Sequence, residues 1–212
     1  MLFRSHSLAY GGLSASDLDH IAISRDSNAH LHKKLMFALS KGPSLSMLRD
    51  RLTNASKVRD VSVSVAEAGG VPGASLKATL HRVEHHHAHM ASAFFVSPFE
   101  NAALLSIDGF GDFVSTMWGR GHGSRIEVED WVEFPHSMGL LYTAITQYLG
   151  FGKYGDEFKV MGLAPYGQPE YMDAVRKLVK PTKTGFELDL SYFVHHSEGV
   201  NMTWDAGSPT IG

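Results

Sequence analysis

The chain of 212 residues has no cysteine, which excludes disulfides and thiolate metal ligands and suits a cytoplasmic protein. It has no apolar run long enough to span a bilayer, and its opening Met1-Leu2-Phe3-Arg4-Ser5-His6 lacks the apolar segment of a secretory signal. Charge of one sign is missing too: 19 basic residues stand against 22 acidic ones, for a net charge of -3. No global field draws such a chain to nucleic acid or to an anionic membrane, and neither is expected as a partner. There is no internal repeat or low-complexity tract. What the chain has in quantity is histidine, 13 residues in all, four of them between His85 and His89. With 43% hydrophobic residues it is long enough to bury one sizeable globular core.

Read in order, residues 8–12 look like a helix end closing at Gly11-Gly12, and Ser14-Ala15-Ser16-Asp17 has the form of a capping box for one helical turn. Ile21-Ala22-Ile23 reads as a short buried strand. From about residue 30 to residue 68 the chain is basic and weakly helical, broken at Gly42-Pro43. That stretch is either a solvated helical insertion or a basic wall for an anionic substrate. A strand near Thr79–Val83 is expected after the turn at Gly69-Gly70-Val71-Pro72-Gly73. The histidine helix then runs from His85 to Phe95, with Ala88, Ala91, Phe94 and Phe95 on the side that packs on a sheet.

The continuous apolar run from Ala102 to Ile107 has the pattern of a strand covered on both faces. Asp108-Gly109-Phe110-Gly111-Asp112 should turn the chain, with strands near 113–119 and 126–134 completing a meander. Ser137 is a candidate N-cap for a helix whose stripe is Leu141, Ile145, Tyr148 and Leu149, stopped at Gly150. Pro169 suits the first turn of another helix, with Tyr171, Ala174, Val175, Leu178 and Val179 on one side. Phe186 to Leu190 reads as a short strand, and the tail from Ser197 as irregular.

In a helix, residues four apart share a face, so His85 and His89 point the same way and form half of a metal site. Asp108, at the end of the next strand, can supply a hard third ligand. Two neutral imidazoles with a carboxylate suit iron, zinc or manganese and leave positions open for a substrate oxygen. His86 and His87 should point elsewhere, into packing or solvent. The Asp108–Asp112 segment reads equally as a hairpin turn, because Asp and Gly dominate such turns for backbone reasons. Its alternative is a phosphate corner in which the backbone of Gly109 and Gly111 approaches the ligand and Asp112, Ser115 and Thr116 add donors or a cation site. Within Gly155–Gly167, Lys159 is a candidate for a phosphate or carbonyl oxygen and Asp156 or Glu157 for a ribose hydroxyl. The same residues read equally as surface charges.

Five ordered motifs resemble one family. They are His85-His86-His87-Ala88-His89-Met90-Ala91-Ser92-Ala93-Phe94-Phe95, Ser97-Pro98-Phe99-Glu100, the Asp108–Asp112 turn, Phe134-Pro135-His136-Ser137-Met138-Gly139-Leu140-Leu141-Tyr142, and Gly155-Asp156-Glu157-Phe158-Lys159-Val160-Met161-Gly162-Leu163-Ala164-Pro165-Tyr166-Gly167. Together they look like the O-carbamoyltransferases of the NodU/CmcH/TobZ type, with a weaker likeness from about residue 8 to residue 205.

The resemblance implies an α/β domain of the actin/sugar-kinase/Hsp70-like, ribonuclease-H-like class. It also implies a carbamoyl-adenylate made from ATP and carbamoyl phosphate, and transfer of the carbamoyl group to a small-molecule hydroxyl acceptor. By the same resemblance a divalent metal, iron, is held at His85, His89 and Asp108, while Gly162 and then Lys159 match nucleotide-contacting positions. Family members are longer, with a catalytic histidine upstream and a late metal-binding aspartate downstream. Residues 1–212 are therefore expected to be an N-terminal domain incomplete at both ends, inactive alone, with a helical insertion at about 30–68 and the metal- and nucleotide-binding part at about 79–212. The missing halves, or a second copy, are expected as partners. Two rivals stand beside this reading: a threonylcarbamoyl-type transferase, and a non-catalytic module that binds metal or a protein.

Overall fold

The computed structural model describes residues 8, 10–41, 61–71, 76–153 and 155–198. The Gly42-Pro43 break, the leucines at 45, 48 and 52, and the tail beyond residue 198 lie outside them.

The described fold is a mixed α/β arrangement built around an antiparallel meander: β3 (Asn101–Gly111), β4 (Val114–His122) and β5 (Arg125–Glu133), in the order β3-β4-β5. A second, parallel pair joins β1 (His20–Ile23) to β2 (Thr79–Arg82), with His20 opposite Thr79 and Ile23 opposite Arg82. The capping box at Ser14 is present: its side chain accepts from the Ser16 N–H while Asp17 accepts from the Ser14 N–H, starting a 3-10 turn at Ala15–Asp17. Strand β1 alternates between exposed and half-buried residues instead of being buried throughout, the pattern of a strand covered on one face; among the described residues it pairs with β2 alone. Helix α1 (Leu31–Lys41) and helix α2 (Val61–Ala68) fall in the segment expected to be helical. Phe37 of α1 packs edge-on against Phe113 and Phe134, and Lys33 pairs with Glu133 of β5 at 3.3 Å. One of the basic residues offered as a substrate wall is thus engaged in holding α1 to the sheet.

Helix α3 (His85–Phe94) follows β2 after two residues and lies on the meander. Glu84 caps it, accepting from the His87 N–H at 2.6 Å. The buried stripe is His86, Met90 and Phe94, at four-residue spacing, packed with Leu104, Val114 and Met117. The alanines expected to face the sheet are only half buried, and Phe95 is exposed. The physical reason is local: His86 finds two hydrogen-bond partners inside the sheet, so a polar ring takes the face assigned to alanine.

Strand β3 departs from expectation in the same way. Leu104 and Ser106 are buried on the face that α3 covers, whereas Leu105 and Ile107 are 64% and 55% exposed on the other face, where they line an open pocket with Trp118, Met138, Val179 and Phe186. The corner also differs. The chain remains in strand through Gly111, and the reversal is made by Asp112 (φ 51) and Phe113 (φ 84), neither a glycine. Such left-handed backbone costs about 1–3 kcal/mol per residue. Burial of Phe113 against Phe37 and Phe134 offsets a term of that size, about 1.5–3 kcal/mol for a phenylalanine.

Helix α4 (Met138–Tyr148) begins at Ser137 as expected, its side chain accepting from the Leu140 N–H, and it is followed by Gly150 at φ 89. Its buried side chains are Leu140, Leu141, Ala144 and Thr146, while Tyr148 and Leu149 are exposed. Helix α5 (Glu157–Leu163) runs into a 3-10 turn at Ala164–Tyr166, and helix α6 (Met172–Leu178) is shorter than expected, with no buried residue. A hairpin of β6 (Val179–Pro181) and β7 (Phe186–Leu188) and a last turn of helix, α7 (His195–Glu198), complete the described chain. No helix among the described residues is long and apolar enough to cross a membrane.

Candidate metal centre

The N-terminal turn of α3 and the far end of β3 meet at one edge of the meander. His85 and His89, one turn apart, bring their Nε2 atoms within 3.1 Å of each other. Asp108 Oδ2 lies 3.0 Å from His85 Nε2 and 3.5 Å from His89 Nε2. Donors about 2.1 Å from a common ion stand about 3.0 Å apart at octahedral angles and about 3.4 Å apart at tetrahedral ones. The three separations fit that requirement.

The tautomer of His85 fits as well. Its Nδ1 faces the Ser24 carbonyl at 3.3 Å, and a carbonyl can only accept, so Nδ1 carries the proton. In the neutral ring, Nε2 then presents a lone pair to the Asp108 carboxylate. Only positive charge between them, a second ring proton or a bound cation, satisfies both sides. A ring N–H held by a carbonyl while the other nitrogen is left free is the arrangement of metal-bound histidines. Burial raises the Asp108 carboxyl, but the nearby His85 ring and the hydrogen bond from the Gly109 N–H outweigh it and hold the group below the ordinary carboxylate value. The carboxylate is therefore charged across the neutral range. His89 and Asp108 are about half exposed, so the open side can be reached by a substrate.

Four of the five residues of the Asp-Gly-Phe-Gly-Asp segment, Asp108, Gly109, Gly111 and Asp112, divide the work of building this edge. The pairing of β3 with β4 runs Ile107–Thr116, then Gly111–Val114, so residues 108–110 leave the ladder as a bulge. That frees Asp108 from the strand. Gly111 gives clearance: a Cβ there would stand 2.2 Å from the His85 ring. Asp112 Oδ2 accepts the N–H of His85 at 3.1 Å and the N–H of Asp26 at 2.6 Å, tying the start of α3 to the loop after β1. Burial pushes the Asp112 carboxyl up, against those two amides. Gly109 supplies its N–H to Asp108 Oδ1 at 2.6 Å. In this structure Gly109, Gly111 and Asp112 thus shape the histidine–aspartate cluster itself. Ser115, offered as a ligand donor, is fully buried on β4 and donates to the His136 and Val132 carbonyls.

Lys159 and Gly162 lie on a different element, α5. The Lys159 ammonium sits 2.6 Å from Asp156 and within 6 Å of the Phe151 and Phe158 rings, and this hydrogen bond holds the Asp156 carboxyl low. Glu157 accepts from Thr143 of α4 at 2.6 Å, linking α5 to the helix whose first turn touches the Asp108 bulge. Gly162 has open space around its Cα.

Several contributors were not singled out by sequence reasoning. His86 is fully buried, donating from Nε2 to the Val114 carbonyl at 2.9 Å and accepting at Nδ1 from Ser106 at 2.7 Å. Burial keeps it neutral, its pKa below the usual histidine value. By locking the rotation of α3 it decides that His85 and His89 face Asp108. The Ser24 carbonyl carries no side-chain signal at all. Ser137 was read as a helix N-cap, and Ser137 and Gly139 fall within the Phe134–Tyr142 motif, but neither was given a role at the site.

An α/β domain with two imidazoles and a carboxylate converging on an accessible edge defines a class: a domain whose cluster has the geometry of a metal-ion donor set. The family is also settled, since the carbamoyltransferase N-terminus pattern matches residues 7–206 and the chain belongs to that family. It is 51% identical over 89 residues to the nodulation protein NolNO of Sinorhizobium fredii, covering 41% of this chain and 13% of that protein. It is 47% identical over 90 residues to the nodulation protein NolO of Bradyrhizobium diazoefficiens, covering 42% of this chain and 16% of that one. An uncharacterized protein of Synechocystis sp. is 44% identical over 122 residues, 57% of this chain and 20% of its own length. The chain thus spans only a part of the curated relatives it matches.

Proposed function

We propose that this chain forms the metal-binding part of an O-carbamoyltransferase, with His85, His89 and Asp108 as ligands of a divalent ion, iron by preference. The observation that carries the reading is the convergence of three donors at 3.0–3.5 Å around a histidine whose other nitrogen is already committed to a carbonyl. Family membership supports carbamoyl transfer as the chemistry of the whole protein. The reaction we infer uses ATP and carbamoyl phosphate to form a carbamoyl-adenylate and passes the carbamoyl group to a hydroxyl acceptor, in the cytoplasm. The meander followed by α4 is read as the first part of an actin/sugar-kinase/Hsp70-like domain, with residues from about 79 onward forming its metal- and nucleotide-binding portion.

A cation bound here would supply positive charge to phosphate or carbamoyl oxygens, where negative charge develops during transfer. The chain's own residues fix where that charge sits. Ser24 and Asp112 orient His85, His86 sets the rotation of α3, and the exposed side of His89 and Asp108 leaves room for an oxygen ligand. Lys159 and Gly162 are proposed to meet the nucleotide along α5. Exposed Leu105 and Ile107 on the open face of β3 favour a second reading, a module that docks a protein and does no chemistry alone.

Metal analysis of the purified chain tests the first proposal, with His85→Ala, His89→Ala and Asp108→Ala beside the wild type. Near-stoichiometric metal, lost in each variant, is expected; a folded wild type that holds none, or variants that keep it, sinks the assignment. ATP-dependent consumption of carbamoyl phosphate, assayed with the longer polypeptide of a relative, separates enzyme from docking module.

A further inference from the structure

The bulge that frees Asp108 creates a difficulty. Between Ile107 and Gly111 residues 108–110 have no register partner on β4, yet the peptide joining Asp108 to Gly109 must be held, because its N–H fixes Asp108 Oδ1 at 2.6 Å. A loose peptide would let the carboxylate swing away from the two histidines.

Helix α4 supplies the hold. Ser137 is fully buried, accepts the Leu140 N–H at 3.0 Å as N-cap, and donates its hydroxyl proton to the Gly109 carbonyl, with the Asp108 carbonyl at 3.2 Å as a second acceptor. Gly139 completes the seat by having no side chain. A Cβ there would stand 2.6 Å from both the Asp108 carbonyl oxygen and the Gly109 nitrogen, and 2.7 Å from the Asp108 carbonyl carbon. Those are backbone atoms of the very peptide that orients the carboxylate, and they cannot step aside as a flexible side chain would.

We propose that Ser137 and Gly139 form a seat for the Asp108–Gly109 peptide and are positioning residues for metal affinity, although neither supplies a ligand atom. The metal half of this inference rests on the proposed ligand set; the seat itself rests on contacts within the chain. It gives the Ser-Met-Gly segment a role distinct from starting a helix: a helix start needs the cap but not the glycine two residues on, whereas the seat needs both. Groups that hold metal ligands in place typically contribute 10–100-fold to affinity.

The test uses the whole chain and two readouts. Cobalt(II) is titrated into wild type, Ser137→Ala, Ser137→Thr, Gly139→Ala and Leu141→Ala, and hydrogen exchange at the Gly109 amide is followed in the metal-free proteins. Leu141 is buried in the same helix and serves as the purely structural control. We expect Ser137→Ala and Gly139→Ala to weaken cobalt binding 10–100-fold and to speed Gly109 exchange at least ten-fold. Ser137→Thr, which keeps the hydroxyl, should recover much of both, and Leu141→Ala should lower stability while leaving both near wild type. Unchanged Gly109 exchange in Ser137→Ala and Gly139→Ala overturns the seat. Faster exchange with unaltered cobalt affinity overturns its role in metal binding. A wild type that takes up no cobalt while the exchange results hold would sink the ligand assignment and leave the seat standing.

Discussion

Two regions of this molecule concentrate histidine, and they use it in opposite ways. At the start of α3, His85 and His89 aim Nε2 atoms at one another and at Asp108, on a half-exposed edge. Around the Phe134–Ser137 segment, the nitrogens diverge instead. His195 is buried against the Phe134 and Phe193 rings and donates to the Pro135 carbonyl at 2.8 Å, while His136 Nδ1 accepts the Leu188 N–H at 3.0 Å. The difference teaches that a histidine count identifies nothing by itself. A candidate site arises where lone pairs converge without enough protons to satisfy them; a structural histidine is one whose nitrogens are already committed to the backbone.

Metal content gives the sharpest contrast between the two regions. Asp108→Ala or His85→Ala should reduce affinity at least 100-fold, whereas His136→Gln, which keeps an acceptor for Leu188, should leave it within a few-fold; equal losses at both places would erase the distinction. Gly111→Ala comes next, because its methyl group would overlap the His85 ring. At least a ten-fold loss of affinity is expected with the fold retained, read by cobalt absorption beside circular dichroism. In the second region the large effect is on stability. Phe193→Ala, which opens the cluster of Leu141, Ala144, Leu188 and Phe193, should cost about 3–5 kcal/mol in denaturant unfolding without touching the ligands.

The smallest expected effect is one of pH. Burial is the leading cause that holds His136 and His195 below the ordinary histidine value of about 6.5 in the folded chain. The neutral rings are therefore favoured by folding, and their contribution is fully present above the unfolded value. It is lost as pH falls from about 6.5 toward the lower folded values. Glu187 opposes the shift at His136 and the hydrogen bond to the Pro135 carbonyl opposes it at His195, while His196 adds to it at both and His136 adds to it at His195. Unfolding midpoints measured from pH 7.5 down to 5 should fall, and His136→Gln should flatten part of that slope. A profile unchanged by the substitution would assign the acid sensitivity elsewhere.

Much of the candidate site was legible because it depends on local rules. Four-residue spacing put His85 and His89 on one helix face, the apolar run placed Asp108 at the end of a strand, and Ser137 had the form of an N-cap. The packed faces were less legible. The alanines of α3 looked like its sheet side until the hydrogen bonds of His86 claimed that position, and Leu105 and Ile107 looked covered because a continuous apolar run does not say how many layers cover it. The glycines of the Asp108–Asp112 segment were read as makers of the corner. In the structure Asp112 and Phe113 make it, while Gly111 gives room to a ring 26 positions earlier in the chain, at His85.

By itself, then, the sequence determined which side chains make up the candidate site and roughly which elements bear them, since helix periodicity, strand hydrophobicity and capping are properties of neighbours along the chain. Tertiary structure alone decided how those side chains are held: the Ser24 carbonyl on His85, the two amides on Asp112, the room at Gly111 and the seat of Ser137 and Gly139 under Asp108. Each of these joins residues far apart in the chain through distances of a few ångströms. Their geometry is set by the packing of whole elements, which no local pattern encodes.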